Sequence, residues 1–483
     1  MDGDYRSGAQ VTDLAIPSSP WGYWRSATAF VVAAIAAIVG VGVVLRLPVL
    51  AQQYGGSAFL LVYVLALAFA AWPLLSAELM LGRLLRQDFV GGLRSDIQKR
   101  SLTRAWMSLA ILSLLVPLIV LSFYAVIAGW NAAFLVRALS NNLAPLQAGD
   151  ATAPFLALAQ DAERSMAWHT LMVVASAVVV ARGLRGGVEQ CARVVLLVTL
   201  LLVLFLALVA GRSGALDAAV GIWLRWDWSA LGWRGASEAL RQALFSAGIG
   251  LGMMLALGAF LSERARILRL SAASLAGSTL FAVVAGSLIV GFVESADLEA
   301  AGQMPTLFVA LVQYAAAQEA RWVPAAVYLM MTLLALASMV ALMEPLVQFV
   351  MGRKRCTRVY AVGVVGVTVW ALGLCTVLTF GSALFSDIGG RSLFGWLQTL
   401  SLQWGAPLAI LVISLYVGRI WSRAQLSIAM GARLKDDETR RVGRRALTLR
   451  FLLVYPARVV AIFTLLYGIG VVDWVVGFWS VTS

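Results

Sequence analysis

Histidine is almost absent from this chain of 483 residues, which holds only His169. Cysteine is scarce as well: Cys191, Cys356 and Cys375 read as free thiols rather than a disulfide framework. With so few nitrogen and sulfur ligands, a zinc site has nothing to be built from. Charge is the third shortage. Only 13% of residues are charged against 61% hydrophobic, and mean hydropathy is +0.88. A soluble domain of that composition would expose large apolar patches, so the composition excludes one. No glycine-rich loop ending in Lys-Ser/Thr occurs, which excludes phosphate-loop ATP chemistry. No nucleophile–base set is present, so the chain is not expected to be an enzyme or to hold an organic cofactor. Met1 to Pro20 is polar, so no cleavable signal peptide is expected.

What the chain has instead is apolar runs of helix length, the mark of an all-α integral membrane protein rather than a barrel. Hydropathy and loop charge predict about eleven spans. They lie near 26–51, 57–82, 103–139, 166–183, 190–211, 237–262, 269–293, 322–352, 357–379, 396–419 and 448–472. The net charge of +13 is not a nucleic-acid footprint, because the basic residues crowd alternate loops. One side carries Arg83, Arg86, Arg94, Arg182, Arg185, Arg264, Arg353 and Arg355, while Asp150, Glu163, Asp297 and Asp387 fall on the other. That asymmetry predicts a plasma (inner) membrane protein with a cytoplasmic N-terminus and, from the odd span count, an external C-terminus near Asp473 and Trp479. Tryptophans at span ends, such as Trp21, Trp24, Trp322 and Trp404, read as interfacial anchors.

Two spans interrupt themselves. Gly40-Val41-Gly42 sits in the middle of the first, with Arg46 and Pro48 a turn beyond. Gly248-Ile249-Gly250-Leu251-Gly252 repeats the device in the sixth. A helix broken inside a bilayer frees backbone N–H and C=O groups, which is tolerated only within protein or beside a cavity. Half-helix N-termini then suit a carboxylate, and C-termini and free carbonyls suit a cation or ammonium. A zwitterionic amino acid fits both ends.

The stretch Gly40 to Pro48, continuing into Gly55-Gly56-Ser57-Ala58-Phe59, resembles the first-helix signature of the neurotransmitter:sodium symporters. Similar matches follow in order. They are Pro73-Leu74-Leu75 with Glu78 to Arg83, Leu121-Ser122-Phe123-Tyr124 through Gly129-Trp130, and Trp168-His169 with Ala181 to Glu189. Gln242 to Ser246 before Gly250-Leu251-Gly252 is another, and Met343-Glu344-Pro345 is the last. The resemblance implies two inverted five-helix repeats, at 26–211 and 237–419, with broken helices 1 and 6. Around them would lie an N-terminal segment 1–25, an external loop 212–236, an external helical cap loop 295–321, a cytoplasmic amphipathic linker 420–447, and a last helix with the C-terminus at 448–483.

It also implies a substrate site at the midplane. The carboxylate would meet the backbone at Gly40 and Gly42 and the hydroxyl of Tyr124, and the ammonium the carbonyls near Ile38, Phe245 and Ser246. Val120, Phe245, Gly248, Leu251, Ser338 and Leu342 would line a mostly apolar side-chain pocket. Gly40 stands where amine-selective members place an aspartate, which favours an amino acid over a monoamine. Glu78 would accept from unwound N–H groups.

Several family positions depart. A first sodium site would fall on Val43, Ser246 and Ser278, and valine supplies no oxygen. A second would use Ala36, Val39, Leu334 and Ser338, with Ala337 lacking the other hydroxyl. Arg46 would face amides at Gln398 and Gln242, so no full ion pair is expected at that gate. Trp21, Gly352 and Phe260 replace all three partners of the other gate. The expected function is therefore import of a small apolar amino acid or related zwitterion with weakened sodium coupling. The alternatives are a sodium-independent or proton-coupled carrier, and a non-transporting subunit that binds a protein partner. The expected partners are the lipid bilayer, the substrate, and a protein partner or second copy, with no nucleic acid.

Overall fold

In a computed structural model, residues 19, 22–86, 89–140, 142–143, 152–296, 304–318, 322–381, 385–430 and 438–471 are described. The expectations at Trp21, Asp150, Asp297, Asp473 and Trp479 fall outside them. Within the described residues the chain is helical, with one isolated bridge between Gly56 and Trp226.

Nine described helices are long and apolar enough to cross a membrane. A tenth passage is the pair Ala27–Ile38 and Val41–Gln53, bent by 69° at its break. The expected span 237–262 is not one helix. It consists of Trp228–Phe245, an unwound stretch, and the short Met253–Gly258. The count of eleven is reached only if that interrupted passage is included.

Burial sorts the spans. Trp322–Lys354 is the most enclosed, with 78% of its most apolar window buried, and it packs along Ser108–Leu139. Leu184–Ser213 is the least, at 22%. Its exposed Leu197, Leu201, Leu204 and Leu208 form a face suited to lipid. Ala27–Ile38 and Met253–Gly258, from the two broken passages, pack against Trp322–Lys354.

Two of the three loop expectations change, and the helical cap is present. Loop 212–236 contains the helix Ala215–Leu224, and the next helix starts at Trp228 with a non-helical Gly232 at φ 46. The cap loop contains Met304–Gln318, whose Phe308 stacks on Phe155 at 5.4 Å and Tyr328 at 5.8 Å. The linker is not one amphipathic helix. It divides into Arg423–Ala429 and the start of Glu438–Val454, which runs into the last span.

Arg83 and Arg86 are not loop cations: both are buried. Arg83 donates to the carbonyls of Ser262 (3.1 Å), Ala265 (2.9 Å) and Ala429, and Arg86 to that of Leu261. Carbonyls outside regular helix need donors, and these two guanidiniums satisfy those of the loop after Met253–Gly258 and the last carbonyl of Arg423–Ala429.

Candidate functional site

The first break is built by backbone that turns away from its own helix. The Gly40 N–H donates to Ile38 O at 2.8 Å, and the Val41 N–H to the Tyr124 hydroxyl at 3.3 Å. Neither amide reaches the carbonyl a helix would give it. Ala36 O and Val39 O are left without a backbone donor, and Ala37 O accepts from the Ser338 hydroxyl at 3.0 Å. Gly40 must be small. A Cβ there would lie 2.9 Å from the Tyr124 hydroxyl and 3.4 Å from Ser338 Oγ. Three helices thus converge on one residue without a side chain.

The second break uses backbone that only glycine adopts readily. Gly248, Gly250 and Gly252 have φ of +63°, +77° and +71°. Glu78, fully buried, accepts the Gly250 N–H at 3.3 Å, the role expected of it. Ser246 Oγ donates to Gln242 O at 2.7 Å and lies 2.7 Å from the Tyr63 hydroxyl. The breaks face each other: a Gly248 Cβ would stand 3.6 Å from Ile38 Cγ1, and a Gly42 Cβ 3.4 Å from Phe245 Cζ.

Beyond the breaks, away from the basic loops, lies a cavity of about 250 Å³. Gly42, Arg46, Phe245, Leu251 and Gln398 line it, as does a wall from Leu402, Ala406, Pro407 and Ile410. The other expected substrate residues, Ile38, Gly40, Val120, Tyr124, Ser246, Gly248, Ser338 and Leu342, do not line it. They pack around the breaks instead, and Val120, Ser338 and Leu342 are buried.

The expected gate is corrected. Arg46 makes a full ion pair, 2.7 Å from Glu238, which also pairs with Arg241 at 2.7 Å. Arg241 stacks over the Tyr467 ring at 4.3 Å. Gln398 shares the cavity wall with Arg46 rather than replacing an acid. Gln242 is fully buried, and neither atom of its amide group has a partner. Glu238 escaped the sequence reading because the span was started at 237, one residue before it.

The opposite mouth is closed without the family's ion pair. Trp24 is buried, not an interfacial anchor. Its indole N–H donates to Leu257 O at 3.1 Å and its ring meets Phe260 edge-on at 6.1 Å and Phe30 at 5.7 Å. Arg86 donates to the Tyr23 hydroxyl at 3.1 Å, and the Arg25 N–H to Glu189 at 3.3 Å. Trp24, Tyr23 and Arg86 are the residues sequence reasoning missed here.

Sodium requires several oxygen ligands. At the second position, Ala36 and Val39 offer released carbonyls, Leu334 O sits in an unbroken helix, and the Ser338 hydroxyl is turned to Ala37. Ala36 and Ala337 line a small apolar pocket with Ala33, Val340 and Cys191, where a further hydroxyl would be needed. The fit is partial. At the first position Val43 is buried and Ser278 donates to Leu275 O at 3.0 Å, so the set does not fit.

The fold is that of a polytopic helical membrane protein built around two facing helix breaks. The sequence profile of the family described as "Sodium:neurotransmitter symporter family" matches residues 22–153. An uncharacterized sodium-dependent transporter, YhdH of Bacillus subtilis, is 28% identical over 55% of this chain and 58% of its own length. Another uncharacterized sodium-dependent transporter, from Haemophilus influenzae, is 24% identical over 55% of this chain and 60% of its own. These matches thus span less than two thirds of either relative. The crystal structure of MhsT in complex with L-phenylalanine superposes with a TM-score of 0.79 at 24% identity, covering 92% of this chain and 99% of that one. Residues 22–153 thus match the sodium:neurotransmitter symporter family, and the chain has the fold of the MhsT structure.

Proposed function

We propose that this chain is a secondary transporter that imports a small apolar amino acid or related zwitterion by alternating access, with sodium coupling weakened relative to its family. The observation that carries the reading is the pair of facing breaks at Gly40 and Gly248–Gly252. The Tyr124 hydroxyl accepts from Val41, which leaves its own hydrogen for a substrate carboxylate beside Gly40 and Gly42. Carbonyls near Ile38, Phe245 and Ser246 take the ammonium. The apolar side chain lies against Phe245 and Leu251, which line the cavity, and reaches Val120, Gly248, Ser338 and Leu342 when the packing around the breaks opens. The likeness to a structure holding L-phenylalanine supports an apolar amino acid. The basic loops face the cytoplasm.

Sodium-independent or proton-coupled carriage is the second reading. The Ser338–Ala37 hydrogen bond and the apolar surroundings of Ala36 and Ala337 favour it. A non-transporting subunit is the third reading, and the Trp24–Phe260 contact weighs against the missing gate that motivated it.

Equilibrium binding of labelled phenylalanine and leucine to the purified chain, with and without sodium chloride, tests the proposal. Binding should persist without sodium and weaken by less than about tenfold, or about 1.4 kcal/mol. Strict dependence on sodium would contradict weakened coupling. Absence of binding for every apolar amino acid would contradict the site.

A further inference from the structure

The basic end of the bundle holds a cluster of guanidinium groups that the proposed transport cycle does not use. It surrounds Gly418, near the end of the span Leu393–Ile420. Arg450, on Glu438–Val454, donates from Nε to Gly418 O at 3.1 Å. Arg458, on Pro456–Gly468, brings Nη2 to 3.7 Å from where a Gly418 side chain would begin. Arg419 is the next residue along, and its charge repels that of Arg458. Two guanidiniums from two segments therefore converge on the Gly418 peptide, and the exposed Arg419 follows it in the chain.

Among the described residues, no carboxylate lies within ion-pair distance of Arg419, Arg450 or Arg458. Arg458 Nε and Nη2 are shut from solvent and have no acceptor. Like charges gathered at a membrane boundary, with N–H groups unpaired, are unfavourable until an anion joins them. The neighbouring face is open and apolar. Phe451, Tyr455 and Val459 recur at helical spacing and are 58%, 59% and 65% exposed. The rings of Phe451 and Tyr455 lie 5.0 Å apart.

We propose that Arg419, Arg450 and Arg458 form a binding site for a phosphate-bearing anion, and that this anion is the headgroup of an anionic phospholipid. Guanidiniums match phosphate oxygens with paired N–H donors, which a point-charge ammonium cannot do. Basic pockets between spans on the positively charged side of a membrane protein suit such headgroups. A free phosphate would satisfy the three cations but would have no use for the Phe451–Tyr455–Val459 stripe. An acyl chain lies along that stripe while the headgroup sits at Gly418.

The test uses the full chain, purified and stripped of lipid. Thermal-unfolding midpoints are measured against added phosphatidylglycerol, phosphatidylcholine or inorganic phosphate. Phosphatidylglycerol should raise the midpoint, and the other two should not. Arg419→Gln and Arg450→Gln should each raise the half-saturating phosphatidylglycerol concentration about fivefold, the weight of one basic residue at a lipid surface. Arg419 is exposed, so its substitution does not threaten folding. Arg444→Gln, exposed on the same helix as Arg450 but outside the cluster, should leave the dependence unchanged. Equal shifts with phosphatidylglycerol and phosphatidylcholine would overturn the proposal, as would wild-type dependence in Arg419→Gln and Arg450→Gln. An equal shift with inorganic phosphate would overturn the lipid as the source.

Discussion

Arg46 is costly in a membrane unless its charge is answered. Glu238, 12% exposed on its side chain, answers both Arg46 and Arg241. Arg46 is partly open to the cavity, so the pair belongs between surface and buried limits. Glu238→Ala should cost about 1–2 kcal/mol of stability by that placement. In a double-mutant cycle with Arg46→Ala, part of the loss should vanish, since the second substitution removes one of the two stranded cations and leaves Arg241. Additive losses in thermal or denaturant unfolding would show that the two residues act apart.

At the level of elements, closure at the basic end depends on the Trp24 segment seated on Leu257 and Phe260. Cys191 lines the small pocket behind that seal. In a Cys356→Ser, Cys375→Ser background, Trp24→Ala should raise labelling of Cys191 by a water-soluble maleimide at least about threefold, a shift of under 1 kcal/mol in an opening equilibrium. Unchanged labelling would mean that the mouth is closed by something else. The helix Trp228–Phe245 has its own anchor outside the membrane. The Ser229 hydroxyl, the Ala230 N–H and Arg225 hold the Asp227 carboxyl well below the usual carboxylate range. A depressed folded-state pKa stabilises above the unfolded value, near 3.9, and that contribution is lost as pH falls through the folded value. Asp227→Ala should therefore lower the melting midpoint equally at pH 5 and pH 8, and a deficit that changes between them would contradict the assignment.

For the molecule as a whole, what was legible followed from local physics. Hydropathy and loop charge gave the all-α membrane class, and the glycines at 40–42 and 248–252 marked the breaks, because backbone freedom is a property of single residues. Pairing across space was not legible. Glu238 stands midway along Trp228–Phe245, whose expected start near 237 put it at the edge of a span. Arg83 and Arg86 counted as loop charge because composition cannot show the carbonyls of a distant loop waiting for a donor. Trp24 read as an anchor because its partners, Leu257 and Phe260, lie more than two hundred residues away.

The central claim is that the facing breaks carry an apolar amino acid with little help from sodium. Proteoliposomes containing the purified chain, given labelled phenylalanine or leucine under a sodium gradient, a proton gradient or neither, test it most directly. The account predicts uptake that continues when sodium is replaced by potassium. Uptake that collapses on removal of sodium alone would contradict the weakened coupling, and no uptake under any gradient would contradict the transport reading itself.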